Sequence, residues 1–175
     1  MAGSSASDDR PPSLRDGRPA DLPRLWRLDQ ICFEPGIAYS KGDLRRFLAM
    51  PGAVCVVAEI GSALCGFAIG YRQPADLAHV VTLDVDPAFR RRGLGRRLIE
   101  AVLDRSAAEG ARRGALEVDV RNAGAIAFYR KVGFRGAARL PSYYGPGLDA
   151  FEMVKEFTAR PPRGPRNDSA VRRSR

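Results

Sequence analysis

The sequence is poor in the residues that build metal centres and disulfide frameworks. It has one histidine and three cysteines. Cys32, Cys55 and Cys65 are odd in number, sit among apolar residues and lack metal-ligand spacing. They read as reduced core thiols, so neither a disulfide scaffold nor a bound metal is expected. The one histidine, His79, lies inside an apolar, β-branched run. It reads as structural, with a role as a second base as the alternative. No stretch approaches ~18 consecutive apolar residues, so no membrane span is expected. The first twelve residues are small and polar, include Asp8 and Asp9, and lack the basic-then-apolar order of a secretory signal. A cytoplasmic protein is expected, with residues 1–12 disordered. No internal repeat is present.

What remains is an ordinary globular composition, 45% hydrophobic and 28% charged. At 175 residues it is enough for one domain with a full core. The net charge of +9 is uneven. Residues 158–175 carry six arginines and one aspartate among Pro, Gly and Ser, and supply +5 of it. This tail is expected to be disordered. It reads either as an electrostatic tether to RNA or another polyanion, or as a solvated terminus with no dedicated partner.

The chain is organised around residues 81–99. Val81 to Val85 form a strand that Pro87 ends, since proline cannot donate to a ladder. Arg90-Arg91-Arg92-Gly93-Leu94-Gly95-Arg96 follow, and then a helix whose Leu94, Leu98, Ile99, Val102 and Leu103 make one apolar stripe. Strand, glycine-containing loop and helix N-terminus in that order make a phosphate site: free N–H groups and the helix dipole favour an anion, and glycines let it approach. The loop fits neither the Gly-x-x-x-x-Gly-Lys-Ser/Thr pattern nor the dinucleotide fingerprint, which needs a third glycine after Gly95.

Around that centre, Ser13–Arg15 is a weak first strand. A helix starts near Asp21, read as its N-cap, and a second starts at Ser40, with Asp43 completing a capping box and Met50-Pro51-Gly52 ending it. Residues 53–60 and 63–72 form a hairpin about Gly61-Ser62, and residues 78–85 form the next strand. Gly110 and Gly114 close the long helix. A strand at 115–120, a helix at 123–132 stopped by Gly133-Phe134, and strands near 136–140 and 149–157 complete the order. Those last strands flank a loop holding Tyr143 and Tyr144. The order βααβββαβαββ predicts an α/β (α+β) fold, a mixed central sheet flanked by helices on both faces.

The arginine-glycine loop resembles the Arg/Gln-x-x-Gly-x-Gly/Ala loop of the GNAT superfamily of N-acetyltransferases, and the element order resembles the GNAT fold over residues 13–157. Within that superfamily the chain is similar to the ribosomal-protein-alanine N-acetyltransferases and related N-terminal acetyltransferases. It shares with them Leu116-Glu117-Val118, Asn122, Ala125-Ile126-Ala127-Phe128-Tyr129, Gly133-Phe134, Tyr143-Tyr144 and Asp149-Ala150 with Met153. It departs from them at Asp119, Arg121 and Leu148, positions on the acceptor side. The resemblance implies acetyl-CoA as co-substrate, its pyrophosphate held by Arg90, Arg91, Arg92, Gly93, Leu94, Gly95 and Arg96. Main-chain groups of Leu83 and Val85 would bind its pantetheine arm, and Asn122 would also contact it. The resemblance further implies Glu117 as general base and Tyr129 as the acid facing the departing thiolate. It implies a protein N-terminus as acceptor, with a ribosomal protein as one such partner.

Read without the resemblance, Glu117 is a carboxylate inside a covered strand, which must face water, a partner or a site. Asp119 shares its face and is expected to raise its pKa by like-charge repulsion. The alternative is neutralisation by an arginine. Tyr129 alternates with Ile126 and Val132 as a core tyrosine would, and Asn122 reads as an N-cap. Tyr39, Tyr143 and Tyr144 are expected in loops around the acceptor channel, or as aromatics that pack those loops. Three functions stay open: acetylation of an N-terminal amine, acetylation of a small amine such as a polyamine or antibiotic, and a non-catalytic acetyl-CoA or RNA binder. The Glu117–Tyr129 pair argues against the last.

Overall fold

A computed structural model describes residues 11–157. The expectations for the first ten residues and for the basic tail at 158–175 lie outside the described residues. Seven strands form one sheet: β1 (Ser13–Asp16), β2 (Val54–Ile60), β3 (Ala63–Gln73), β4 (Leu77–Val85), β5 (Arg113–Asp119), β6 (Arg135–Gly145) and β7 (Leu148–Glu156). Four helices join them: α1 (Leu22–Cys32), α2 (Lys41–Leu48), α3 (Leu94–Ala108) and α4 (Ala123–Val132). The sheet order is β1-β2-β3-β4-β5-β7-β6. Every neighbouring pair is antiparallel except β4–β5. The crossover through α3 is what makes that one pair parallel.

The predicted stripe of α3 is buried in full: Leu94, Leu98, Ile99, Val102 and Leu103 lie against Val56, Ala58, Ala68 and Val80 of the sheet. Each such side chain contributes about 1.5–3 kcal/mol on leaving water. Gly70 permits the approach, because a β-carbon there would lie 2.8 Å from Val102. On the opposite face α1 and α2 cover Val57, Phe67 and Ile69 with Leu22, Leu25, Leu28 and Leu44. Ile126 and Val132 of α4 close the third cluster with Leu116, Val118, Phe134 and Met153.

Several boundaries differ from the sequence reading. Asp21 does not cap α1 through its side chain; its carboxylate takes the Arg15 guanidinium at 2.8 and 2.9 Å and the Arg18 N–H at 2.8 Å. A bidentate charged partner outcompetes a neutral cap. Gly114 belongs to β5, not to the end of α3. The Tyr143-Tyr144 pair lies on an extension of β6 rather than in a loop, since the 6–7 hairpin turns only at Gly145–Leu148. Ser40 caps α2 through Asp43 N–H at 3.1 Å, and Asn122 caps α4 through Ala125 N–H at 3.0 Å, as their positions predict. The expected capping box is only half made, because the Asp43 carboxylate accepts from the Ser40 hydroxyl at 2.6 Å instead of the Ser40 N–H.

Candidate active site

The parallel ladder between β4 and β5 holds for three residue pairs only, ending at His79 opposite Ala115. Beyond it the strands part. On the β3 side the register of β4 slips between Val80 and Thr82, which leaves Val81 as an extra residue. Such a bulge bends and twists its strand. β5 instead stays straight against β7 through Asp119. The result is a wedge-shaped gap whose walls are residues 80–85 and 116–119. Leu83 and Val85 lie on its β4 wall. The Val85 carbonyl accepts from Arg90 Nε at 2.9 Å and from Cys32 Sγ at 3.4 Å.

At the end of β4 the chain turns through Pro87–Phe89, with Asp86 accepting the Ala88 N–H at 2.8 Å. Arg91 and Gly93 both take left-handed backbone, at φ +65° and +77°. Gly93 stands at the N-cap of α3, where no side chain among the described residues caps the helix. The first-turn amides therefore point out of the loop, beside a field that favours anions. Arg90 leans on Val85, Arg92 covers the Phe89 ring at 5.8 Å, and Arg96 pairs with Glu100 at 2.8 Å. A β-carbon added to Gly95 would lie 3.6 Å from both Phe128 and Val85. The loop thus abuts the helix that carries Tyr129.

Glu117 projects from the β5 wall. Its Oε2 meets His79 Nε2 at 2.7 Å, and both side chains are only 16% exposed. Burial pushes the Glu117 carboxyl up, but His79, through its hydrogen bond and its electrostatic influence, and then the neighbouring Tyr143 outweigh it and hold the group below the usual carboxylate range. The expected influence of Asp119 is not found. Asp119 turns away and takes Arg121 at Nε (3.0 Å) and at its backbone N–H (2.8 Å), which lowers the Asp119 carboxyl instead. His79, read as structural from the sequence, is the partner that was missed. Its isolation as the only histidine was the available signal; its contact with Glu117 depends on strand register.

Three tyrosines surround this carboxylate. Tyr143 and Tyr144 stack edge to face at 4.9 Å, and both phenols are pushed up by burial and then by neighbours that include Glu117. Tyr39, in the α1–α2 loop as expected, packs on Phe47 at 5.1 Å and donates from its hydroxyl to Val81 O at 3.4 Å. Burial, then Glu117, pushes it up to about 12. Arg121 also lies 3.9 Å from Glu34 of that loop, joining the two rims.

Tyr129 packs between Phe128 and Phe134, at 5.2 and 5.9 Å. Burial raises its phenol, and the nearby Asp84 raises it further. Asp84 was not singled out in the sequence. It is 0% exposed, accepts from the Thr82 hydroxyl, and its Oδ2 has no partner among the described residues. Burial raises this carboxyl well above its usual value. Asp29 of α1 is likewise fully buried and accepts the Tyr39 N–H at 2.8 Å. An aspartate inside the apolar run Val80 to Val85 was the sequence signal for this buried acid. No cluster of metal-ligating side chains occurs among the described residues.

The family model described as acetyltransferase (GNAT) family matches residues 22–134. An uncharacterized protein of Mycobacterium leprae is 34% identical over 157 residues, covering 86% of this chain and 42% of that protein. The N-alpha-acetyltransferase RimI of Mycobacterium tuberculosis is 35% identical over 144 residues, covering 78% of this chain and 87% of that protein. The crystal structure of the ribosomal-protein-S18-alanine N-acetyltransferase from Escherichia coli superposes with a TM-score of 0.74 at 25% identity, covering 87% of this chain and 97% of that one. The chain therefore spans less than half of the first relative and most of the other two.

Proposed function

This chain belongs to the acetyltransferase (GNAT) family, and on that premise we propose that it transfers the acetyl group of acetyl-CoA to the α-amine of a protein N-terminus. The observation that carries the reading is the parting of β4 and β5, with Glu117 on one wall, the uncapped start of α3 at its end and the helix that carries Tyr129 packed against that start through Phe128. In this reading residues 13–157 are the catalytic domain. The Arg90–Arg96 loop and the first turn of α3 hold the pyrophosphate, with Leu83, Val85 and Asn122 along the rest of the cofactor. Acetyl-CoA supplies the activated acyl group.

Glu117 accepts the proton of the incoming amine. It is held below the usual carboxylate range, so it is ionised and ready at neutral pH but is a weak base. That suits an α-amine, whose pKa of about 8 makes the neutral form cost only about 1 kcal/mol at pH 7. A lysine amine, at about 10.4, would cost roughly 4–5 kcal/mol. Tyr129 faces the leaving sulfur. A phenol raised by burial is a poor proton source, so its help is a hydrogen bond to developing thiolate charge in a dry site. Tyr39, Tyr143 and Tyr144 line the acceptor entrance.

The bacterial relatives favour a ribosomal protein as acceptor, and hence a cytoplasmic site of action. The test is mass spectrometry of products from acetyl-CoA with a panel of N-terminal peptides, lysine peptides and small amines. Acetylation is expected at peptide α-amines. Glu117→Gln and Tyr129→Phe should each lower kcat by roughly 10–1000-fold with acetyl-CoA affinity within a few-fold. Only Glu117→Gln should recover at alkaline pH, because raising the pH supplies neutral amine without a base. Near-wild-type rates in both variants at every pH would return both residues to structural roles.

A further inference from the structure

The contact between His79 and Glu117 has a role in the reaction that the base alone does not explain. We propose that His79 is a positioning residue: it donates from Nε2 to Oε2 of Glu117 and so leaves Oε1 as the oxygen that takes the amine proton. The proposal rests on Glu117 as the base.

The geometry is specific. His79 closes the last paired step of β4 and β5, and Glu117 stands two residues beyond it on the facing strand. The 2.7 Å hydrogen bond therefore bridges the two walls where they begin to part. It fixes the carboxylate at the apex of the gap rather than on a free rotamer. The imidazole is itself held from behind. Tyr71 packs edge-on against it at 5.3 Å, and the Tyr71 hydroxyl is in turn fixed by Gln73 Nε2 at 2.9 Å.

Chemistry assigns the direction of the bond. An ionised carboxylate can only accept, so the facing nitrogen carries the hydrogen. The other nitrogen, Nδ1, is buried and has no partner among the described residues. A proton moved onto the ring would have no protein group or open surface to pass to, so the ring orients the base and does not relay through it. The other titratable groups around Glu117 do not replace this donor. Tyr143 of β6 is a neighbouring phenol that burial and then Glu117 push up, so it stays protonated. Tyr39 and Tyr144 are phenols that burial pushes up, so they stay protonated. Glu152 is the cross-strand neighbour on β7 and can only repel, while Asp119 is engaged by Arg121.

Because the chain has a single histidine, one imidazole signal reports the whole proposal. Long-range nitrogen–proton NMR of the untagged protein at neutral pH is expected to show the proton on Nε2, with a shift change in Glu117→Gln. The pH–rate profile on one N-terminal peptide at saturating acetyl-CoA supplies the functional arm. His79→Leu should lower kcat about ten-fold. It should also move the acidic limb upward by about one unit, because burial then acts on Glu117 without its main donor. His79→Gln places an N–H where Nε2 stood and should restore both. The KM for acetyl-CoA should not change in either. An Nδ1-protonated ring in the wild type overturns the proposal whether or not the leucine variant folds. So does an unmoved limb in His79→Leu while Glu117→Gln is impaired, which leaves Glu117 as base. A fully active Glu117→Gln overturns the base and its positioning residue together.

Discussion

Gly93 separates the two things its loop must do: adopt a left-handed backbone and accept an anion. Its φ is +77°, and a β-carbon built there meets nothing within 4 Å. Gly93→Ala therefore adds no clash and loses only about 1 kcal/mol for the left-handed conformation, a fall in Tm of about 2–4 °C. Gly93→Glu bears the same backbone cost and sets a carboxylate beside the proposed pyrophosphate. Two like charges about 5 Å apart at an effective dielectric near 20 repel by roughly 3 kcal/mol, or about a hundred-fold in affinity. The assay is thermal unfolding with and without acetyl-CoA at about 100 times the wild-type Kd. The ligand should stabilise the wild type by about 2.7 kcal/mol, or roughly 5–10 °C. The alanine variant should keep most of that shift. The glutamate variant, then near its own Kd, should retain about 0.4 kcal/mol, close to 1 °C. An undiminished shift in Gly93→Glu would refute the assignment of this loop to the pyrophosphate.

Asp29 makes a pH prediction of opposite sense to a salt-bridged acid. Burial pushes its carboxyl up to about 6 from 3.8, so the folded protein holds a proton that the unfolded chain releases. Stability contributed by this group is full below about pH 4, falls as pH rises to about 6 and is then flat; Asp84, raised in the same direction beside it, adds to the trend. Asp29→Asn, which keeps an acceptor for the Tyr39 N–H, should gain up to about 2–3 kcal/mol at pH 7 relative to pH 4, read from urea midpoints at the two pH values. A wild-type-like pH slope in the variant would show that Asp29 ionises normally. Removing residues 158–175 should leave Tm and turnover on short peptides nearly unchanged, since Phe157 donates to Arg112 O at 2.8 Å and packs on the core ahead of the cut. A large loss of kcat would move the domain boundary into the tail, and weaker association with ribosomes at low salt would support an electrostatic tether.

Much of this architecture was legible in the chain. The α3 stripe, the glycine loop before it, the caps at Ser40 and Asn122 and the eleven-element order are local signals, written in periodicity and in residues with special backbone or capping chemistry. Where local reading failed, a distant group had won a residue's bonds. Asp21 has the composition of an N-cap, but Arg15 from β1 holds it. Tyr143 and Tyr144 sit between turn residues, but β6 runs on until Gly145 pairs with Leu148, so residues 141–144 form a bulge within the strand.

The candidate site divides the same way. The sequence by itself determined which groups could act: a carboxylate in a covered strand, a tyrosine on the following helix and a glycine loop between strand and helix. Their side chains follow from residue identity and from the two short periods of strand and helix. Only the tertiary structure decided which groups meet. The length of the parallel ladder, the slip at Val81 and the pairing of Glu117 with His79 all depend on register between strands far apart in the chain. Register is set by the packing of whole faces against α1, α2 and α3, so no window of neighbouring residues contains it.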